Sequence, residues 1–373
     1  MYEFTELQTP KDLDVIADLT FSPRQNWLVT TSWDYRVLVH DLGGGVSTSN
    51  NMKSEEYRAK VPMLSVCFAN GNSTFLGGLD GGIYQLDYEN SDFNVVDVFE
   101  ELASEGVGKH LDVGIKKVCF DQQQNRLIAG SFNGDLRAVD VRTCQRIFHK
   151  QADTTTNSKI QNMDISKTLL IVQRKGSDID IYDLRNFDNP VETRQLGLNH
   201  QVRDLISLSH TTDEGFALST IDGRVSLEYF DKNPEIQQSK RFTFKCHRAK
   251  DKVTGIDTVY PVNALATNSL HNTLFTGGSD GCVCLWNLNK KKRIRMYPKF
   301  FNTFTPHSDE DDSHLDKAVQ SVVKLALASD DSMLAVGTSD DGYKNFKSLD
   351  VPLLQQVPSR VFIRQLVPDE CAA

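Results

Sequence analysis

Residues 215–230 read GFALSTIDGRVSLEYF. Two apolar, β-rich segments, GFALST and RVSLEYF, flank the pair Asp222-Gly223. An Asp-Gly pair between alternating runs is the strongest short hairpin signal, because a two-residue I′ turn asks for positive φ at both central positions. The run QVRDLISLS (201–209) precedes this hairpin and RFTFKCH (241–247) follows it. Together they make one four-stranded antiparallel unit.

The unit recurs. Apolar segments run into a turn centred on an acid or amide at Asp34, Asp80, Asn133, Asp178, Asp222, Asp280 and Asp340. Successive anchors are 46, 53, 45, 44, 58 and 60 residues apart, the spacing of propeller blades with loop insertions added. A second alternating segment follows six of them (VLVHDL, IYQLDY, LRAVDV, DIYDL, VSLEYF and VCLWNL), and a third precedes each hairpin, from VIADLTFSP to SVVKLALAS. Helical spacing is confined to FEELASEG (99–106). Four strands in seven units predict an all-β, seven-bladed propeller; a pair of β-sandwiches or a β-helix fits the long period less well. One unit spanning 1–373 must close its ring. SRVFIRQL (359–366) reads as the third strand of the last blade and YEFTEL (2–7) as its outer strand, so that no edge is left open. HSDEDDSH (307–314) reads as a charged insertion between blades six and seven.

Composition fits a globular chain, with 39% hydrophobic and 24% charged residues. No apolar run approaches the roughly 20 residues that cross a bilayer, and the N-terminal stretch lacks the pattern of a secretory signal. Seven cysteines without a C-x-x-C pair read as reduced, small apolar groups. Net charge is −9, unevenly spread: residues 201–300 hold 15 Lys+Arg against 10 Asp+Glu, leaving 26 against 40 elsewhere. One basic third in an acidic chain points to a local anion-binding surface and not to general nucleic-acid binding. KKKRIR (290–295), after the third strand of blade six, suits an import signal or a phosphate patch.

WD repeats end in Trp-Asp; here Trp286-Asn287 comes near, and the others read His40-Asp41, Leu86-Asp87, Val139-Asp140 and Tyr182-Asp183. The chain therefore resembles a divergent seven-bladed WD-repeat β-propeller. The strings TSWD (31–34), QVRD (201–204), ALSTIDGRVSLEYFD (217–231), KRFTFKCHR (240–248), YPVNAL (260–265) and FTGGSDG (275–281) resemble the mitotic-checkpoint propeller family, the third of the budding-uninhibited-by-benzimidazole proteins, and its fungal members above all. The sister family, the messenger-RNA export propeller of the nuclear pore, shares FKCHR and YPVNA and supplies the alternative reading.

The resemblance implies a non-catalytic scaffold in the nucleus and, in mitosis, at kinetochores. It implies two kinds of partner: the checkpoint kinase and its paralogue, through a short peptide motif, and a kinetochore scaffold carrying phosphorylated Met-Glu-Leu-Thr repeats. Neither a membrane nor direct nucleic-acid contact is expected. Blade topology puts second-to-third turns and the connections between blades on one face, which Trp33, Arg203, Arg224 and Lys245 should all reach. A guanidinium and an ammonium suit a phosphothreonine, and Trp33 suits an apolar neighbour in the same peptide. These positions match the family's peptide-reading residues: Trp33, Arg224 and Lys245 for the phosphopeptide, Arg203 for the partner peptide. Lys245 stands where some relatives carry Arg.

No P-loop, G-x-G-x-x-G or H-E-x-x-H string occurs. GGG (43–45) precedes no convincing helix, the histidines lack ligand spacing, and His247 reads as ordering the outer strand of blade five. No catalytic residue, metal or cofactor is expected.

Overall fold

The repeated acid works as a local cap. Asp80 Oδ1 accepts the Gly82 amide at 3.0 Å, Asn133 Oδ1 the Asp135 amide at 3.0 Å, and Asp280 Oδ1 the Cys282 amide at 3.1 Å. A side chain that bonds the amide two residues on closes a turn without help from the rest of the fold. Only the glycine of each pair is left-handed (Gly81, Gly134, Gly223 and Gly281, with φ from 67° to 98°). The turns are therefore not of the I′ type that the sequence suggests, because the cap keeps the acid itself at negative φ. Blade one lacks the glycine, and Tyr35 takes the left-handed position with φ 71°. Blade four departs from the pattern: Asp178 opens its third strand, and the turn lies just before it around Gly176. The acid of each degenerate WD pair caps the next turn, as Asp140 does for the Arg142 amide at 2.8 Å and Asp183 for the Arg185 amide at 2.9 Å. That role needs an acid or amide but no tryptophan, which is why the Asp persists where the Trp does not.

These hairpins build seven four-stranded antiparallel sheets, arranged as a β-propeller in a computed structural model that describes residues 4–43, 52–70, 73–99, 113–151, 159–209, 213–231, 233–251, 253–268, 270–301, 319–340 and 358–371. Blades one to six span 16–58, 63–98, 115–150, 160–195, 202–245 and 262–296. Blade seven joins Ser321–Leu327, Met333–Ser339 and Arg360–Gln365 to Thr5–Glu6. Thr5 pairs with Ile363 and Glu6 with Phe362, and the Leu7 amide donates to the Val361 carbonyl at 2.8 Å. Residues 2 and 3 of the expected closing strand, most of 99–106 and 43–45, and all of 307–314 lie outside the described residues. A two-stranded ribbon, Arg248–Lys250 with Asp257–Val259, intervenes between blades five and six and had no signal in the sequence.

Apolar clusters lie between neighbouring blades. Close approach is set by small residues: a Cβ on Gly277 of blade six would stand 2.4 Å from Val322 Cγ1 of blade seven. Every inner strand carries a register shift at the same place, at Ala17, Leu64, Lys116, Gln161, Arg203, Asn263 and Val323. A bulge re-aims side chains, and here it points polar groups into a central cavity of about 290 Å³. Asp18 of blade one accepts the Val66 amide of blade two at 3.2 Å and the Lys117 ammonium of blade three at 2.8 Å. Asp164 takes the Ser207 amide at 2.7 Å, and Asp204 the Leu265 amide at 2.8 Å. Each carboxylate thus bonds the inner strand of the following blade. All seven cysteines are free, and burial pushes the Cys67 thiol up to about 12.

Candidate peptide-binding face

In an antiparallel meander the second-to-third turns and the connections between blades emerge on the same side of the ring. On that side, Arg224 opens the third strand of blade five, Arg224–Tyr229, and Lys245 ends its outer strand, Phe242–Lys245. The two are direct register partners, and both side chains are exposed. Directly opposed residues hold their Cβ atoms about 4.5–5.5 Å apart, and like charges there repel. An anion placed between them relieves that repulsion.

Arg224 Nε stands 2.7 Å from Asp222 Oδ2. Lys245 has no carboxylate within ion-pair distance among the described residues. Asp222 lies below the usual carboxylate range: burial works against its charge, but the Thr220 hydroxyl, His200 and Arg224 outweigh it. Arg248 Nη2 donates to the Asp222 carbonyl at 3.0 Å, and His200 Nε2 stands 3.8 Å from Asp222 Oδ2. One turn therefore gathers Arg224, Arg248 and His200, with Lys245 across the strand. Arg248 and His200 were overlooked as site residues although both lie in or beside the quoted strings; the signal was their closeness in sequence to Lys245 and Arg203.

Arg203 is the bulged residue of the inner strand Val202–Ser207. It is half-buried, and its Nε is buried without a hydrogen-bond partner among the described residues. The neighbouring Asp204 is engaged instead by the Leu205 and Leu265 amides. Trp33 sits in the second-to-third turn of blade one, 42% exposed, with its amide donating to the Val15 carbonyl at 3.0 Å. Tyr35 beside it, 47% exposed, makes a second aromatic that the sequence reading did not single out. Blades six and seven stand between blade five and blade one. Arg203, Arg224 and Lys245 are brought together in one blade, and Trp33 is not brought next to them. A ligand touching both places has to cross the face of the ring.

His247 does something other than order its own strand. Its Nδ1 lies 2.8 Å from Asp280 Oδ1 and its Nε2 2.8 Å from Thr276 Oγ1, which also accepts from Trp286 Nε1 at 3.0 Å. The imidazole is fully buried and links the end of blade five to blade six. Among the described residues no group of three or more His, Cys, Asp or Glu side chains is placed to hold a metal, and no helix is long and apolar enough to cross a membrane.

A family model described as "WD domain, G-beta repeat" matches residues 6–41 and 238–287. The chain is 31% identical over 311 residues to the mitotic checkpoint protein bub3 of Dictyostelium discoideum, covering 82% of this chain and 86% of that one. It is 30% identical over 362 residues to the mitotic checkpoint protein BUB3.1 of Arabidopsis thaliana, covering 97% and 92%. Identity to the spindle assembly checkpoint protein bub3 of Schizosaccharomyces pombe is 29% over 294 residues, covering 79% and 84%.

Proposed function

The chain belongs to the Bub3 family of mitotic checkpoint WD40 propellers, and from that premise we propose that it is a non-catalytic scaffold that reads phosphothreonine peptides on the face described above. Its phosphorylated partner is a kinetochore protein with Met-Glu-Leu-Thr repeats, received by Arg224 and Lys245, with Trp33 packing an apolar side chain of the peptide. Arg203 serves a second peptide, from the checkpoint kinase and its paralogue. The protein works in the nucleus and, during mitosis, at kinetochores.

The observation that carries this reading is the direct pairing of Arg224 with Lys245 at the end of two strands. A phosphothreonine brings nearly two negative charges and three strong acceptors. It fits a guanidinium and an ammonium held side by side better than any neutral ligand does. The strand register fixes both cations by backbone pairing, so little ordering remains to be done on binding. Arg248, around the same turn, adds positive potential behind them. The test is calorimetric titration with paired phosphorylated and unphosphorylated Met-Glu-Leu-Thr peptides. Equal affinity for the two would remove the phosphate-reading function.

A further inference from the structure

The basic run at 290–295 divides between a turn and the outer strand of blade six, Lys292–Met296, which pairs with Val283–Asn287. It is not a free extended segment. Lys290 donates its amide to Asn287 Oδ1 at 2.8 Å, and Lys291 places its ammonium 4.5 Å from the centre of the Phe242 ring of blade five. Arg293 stands over Trp286 at 6.0 Å, and Trp286 lies 4.5 Å from Phe244. Half-buried Phe242, Phe244 and Trp286 thus bridge the rims of blades five and six beneath a layer of cations.

Outer-strand arginines of three other blades are neutralised within the fold: Arg58 by Glu56 at 2.9 Å, Arg146 by Asp97 at 2.6 Å, and Arg194 by Glu192 at 2.5 Å. On blade six, Lys290, Lys291, Lys292 and Arg293 have no carboxylate within ion-pair distance among the described residues. Their strand is also the edge of its sheet, so its outward amides and carbonyls are a template for another strand.

We propose that the rim of blade six is a second docking surface, which adds an acidic peptide of a partner protein as a further strand beside Lys292–Met296. Main-chain pairing supplies the contact and alternate acidic side chains meet the unpaired lysines. Charge complementarity selects this occupant. A nucleic acid is disfavoured because Lys291 and Arg293 already cover the aromatic faces on which bases would stack and because the whole chain carries −9. The surface does not depend on the phosphopeptide reading, since Arg224 takes no part in it.

The probes are a fluorescein-labelled decapeptide of alternating Val and Glu, the same peptide with proline at a central position, and a dT decanucleotide. Anisotropy titration of the full chain at low salt is expected to show binding of the first peptide only. Lys290→Ser with Lys292→Ser should weaken it roughly twofold to thirtyfold, and Arg224→Ala should leave it unchanged. Both lysines are exposed, and circular dichroism of the double variant checks its fold. Unchanged affinity in the double variant, equal binding of the proline peptide, or tighter binding of the oligonucleotide would each overturn the proposal.

Discussion

His247 of blade five and Asp280 of blade six stand 2.8 Å apart, Nδ1 to Oδ1, in a buried contact that no sequence neighbour could supply. Replacing His247 by alanine leaves Asp280 and the Thr276 hydroxyl short of a partner. Stranded buried polar groups cost roughly 1–3 kcal/mol each. His247→Ala should therefore lower stability by about 2–4 kcal/mol, read as a fall in the urea midpoint. An unchanged midpoint would show that the clamp is incidental.

On the peptide face, Arg224→Ala and Lys245→Ala should each weaken the phosphorylated Met-Glu-Leu-Thr peptide about tenfold to a hundredfold, since a charge-assisted contact contributes roughly 1.5–3 kcal/mol. The double substitution should bring affinity close to that of the unphosphorylated peptide. Because both cations are exposed, wild-type binding should fall as salt rises. The kinase-derived peptide should respond instead to Arg203→Ala. Calorimetry on the wild type and the four variants separates these outcomes.

The central cavity gives opposed pH responses. Asp18 is held at about 2 although burial works against its charge, because Lys117 and Lys324 outweigh that penalty. A carboxylate depressed on folding adds stability above its unfolded value of 3.8 and loses it as pH falls towards 2. Asp204 is raised, chiefly by burial; it costs stability at neutral pH, and the fold recovers that cost as pH falls through its titration. Asp18→Asn should destabilise at pH 7 and flatten the loss between about pH 4 and pH 2. Asp204→Asn keeps the Leu265 bond through its amide oxygen, gives up the Leu205 one, and should cost less at pH 7 than Asp18→Asn. Thermal melts across pH 2–8 would show whether the two variants diverge in this way.

Removal of residues 1–9 should lower the melting temperature of the whole chain in a single transition, because Thr5–Glu6 completes blade seven and Leu7 is buried beside it. Two separate transitions, or none shifted, would contradict a single cooperative ring.

In dividing cells a fluorescent fusion should collect at unattached kinetochores and lose those foci on Arg224→Ala with Lys245→Ala. A steady nuclear-rim signal would favour the export-adaptor role of the sister family.

The hairpins of blades one, two, three and six were legible because Asp34, Asp80, Asn133 and Asp280 each cap an amide two residues away, so the signal is contained in a few adjacent residues. Asp178 misled for the same reason: a nearby glycine makes the turn, and the acid merely follows it. Arg224 and Lys245 could be placed on one face from strand counting, and the register makes them neighbours. The inner-strand bulges had no local mark, nor did the bonds from Asp18, Asp164 and Asp204 to the next blade. These contacts join residues roughly a blade apart in sequence. Arg248 was hidden because it opens the ribbon that the sequence did not signal, from which its guanidinium reaches the Asp222 carbonyl.

The pairing of Thr5–Glu6 with Arg360–Gln365 also has a consequence for how the protein is made. During synthesis the first strand emerges long before its partner, and it must wait while six blades are translated. Through that interval blade one lacks the neighbour that buries Leu19 against Ala335 and Ile363, and the nascent ring is an open arc with apolar surface at its leading end. Bringing together segments this far apart is slow, so the vulnerable period of the chain ends only when its last strand clears the ribosome. A chaperone that shields the N-terminal blade would act within that window.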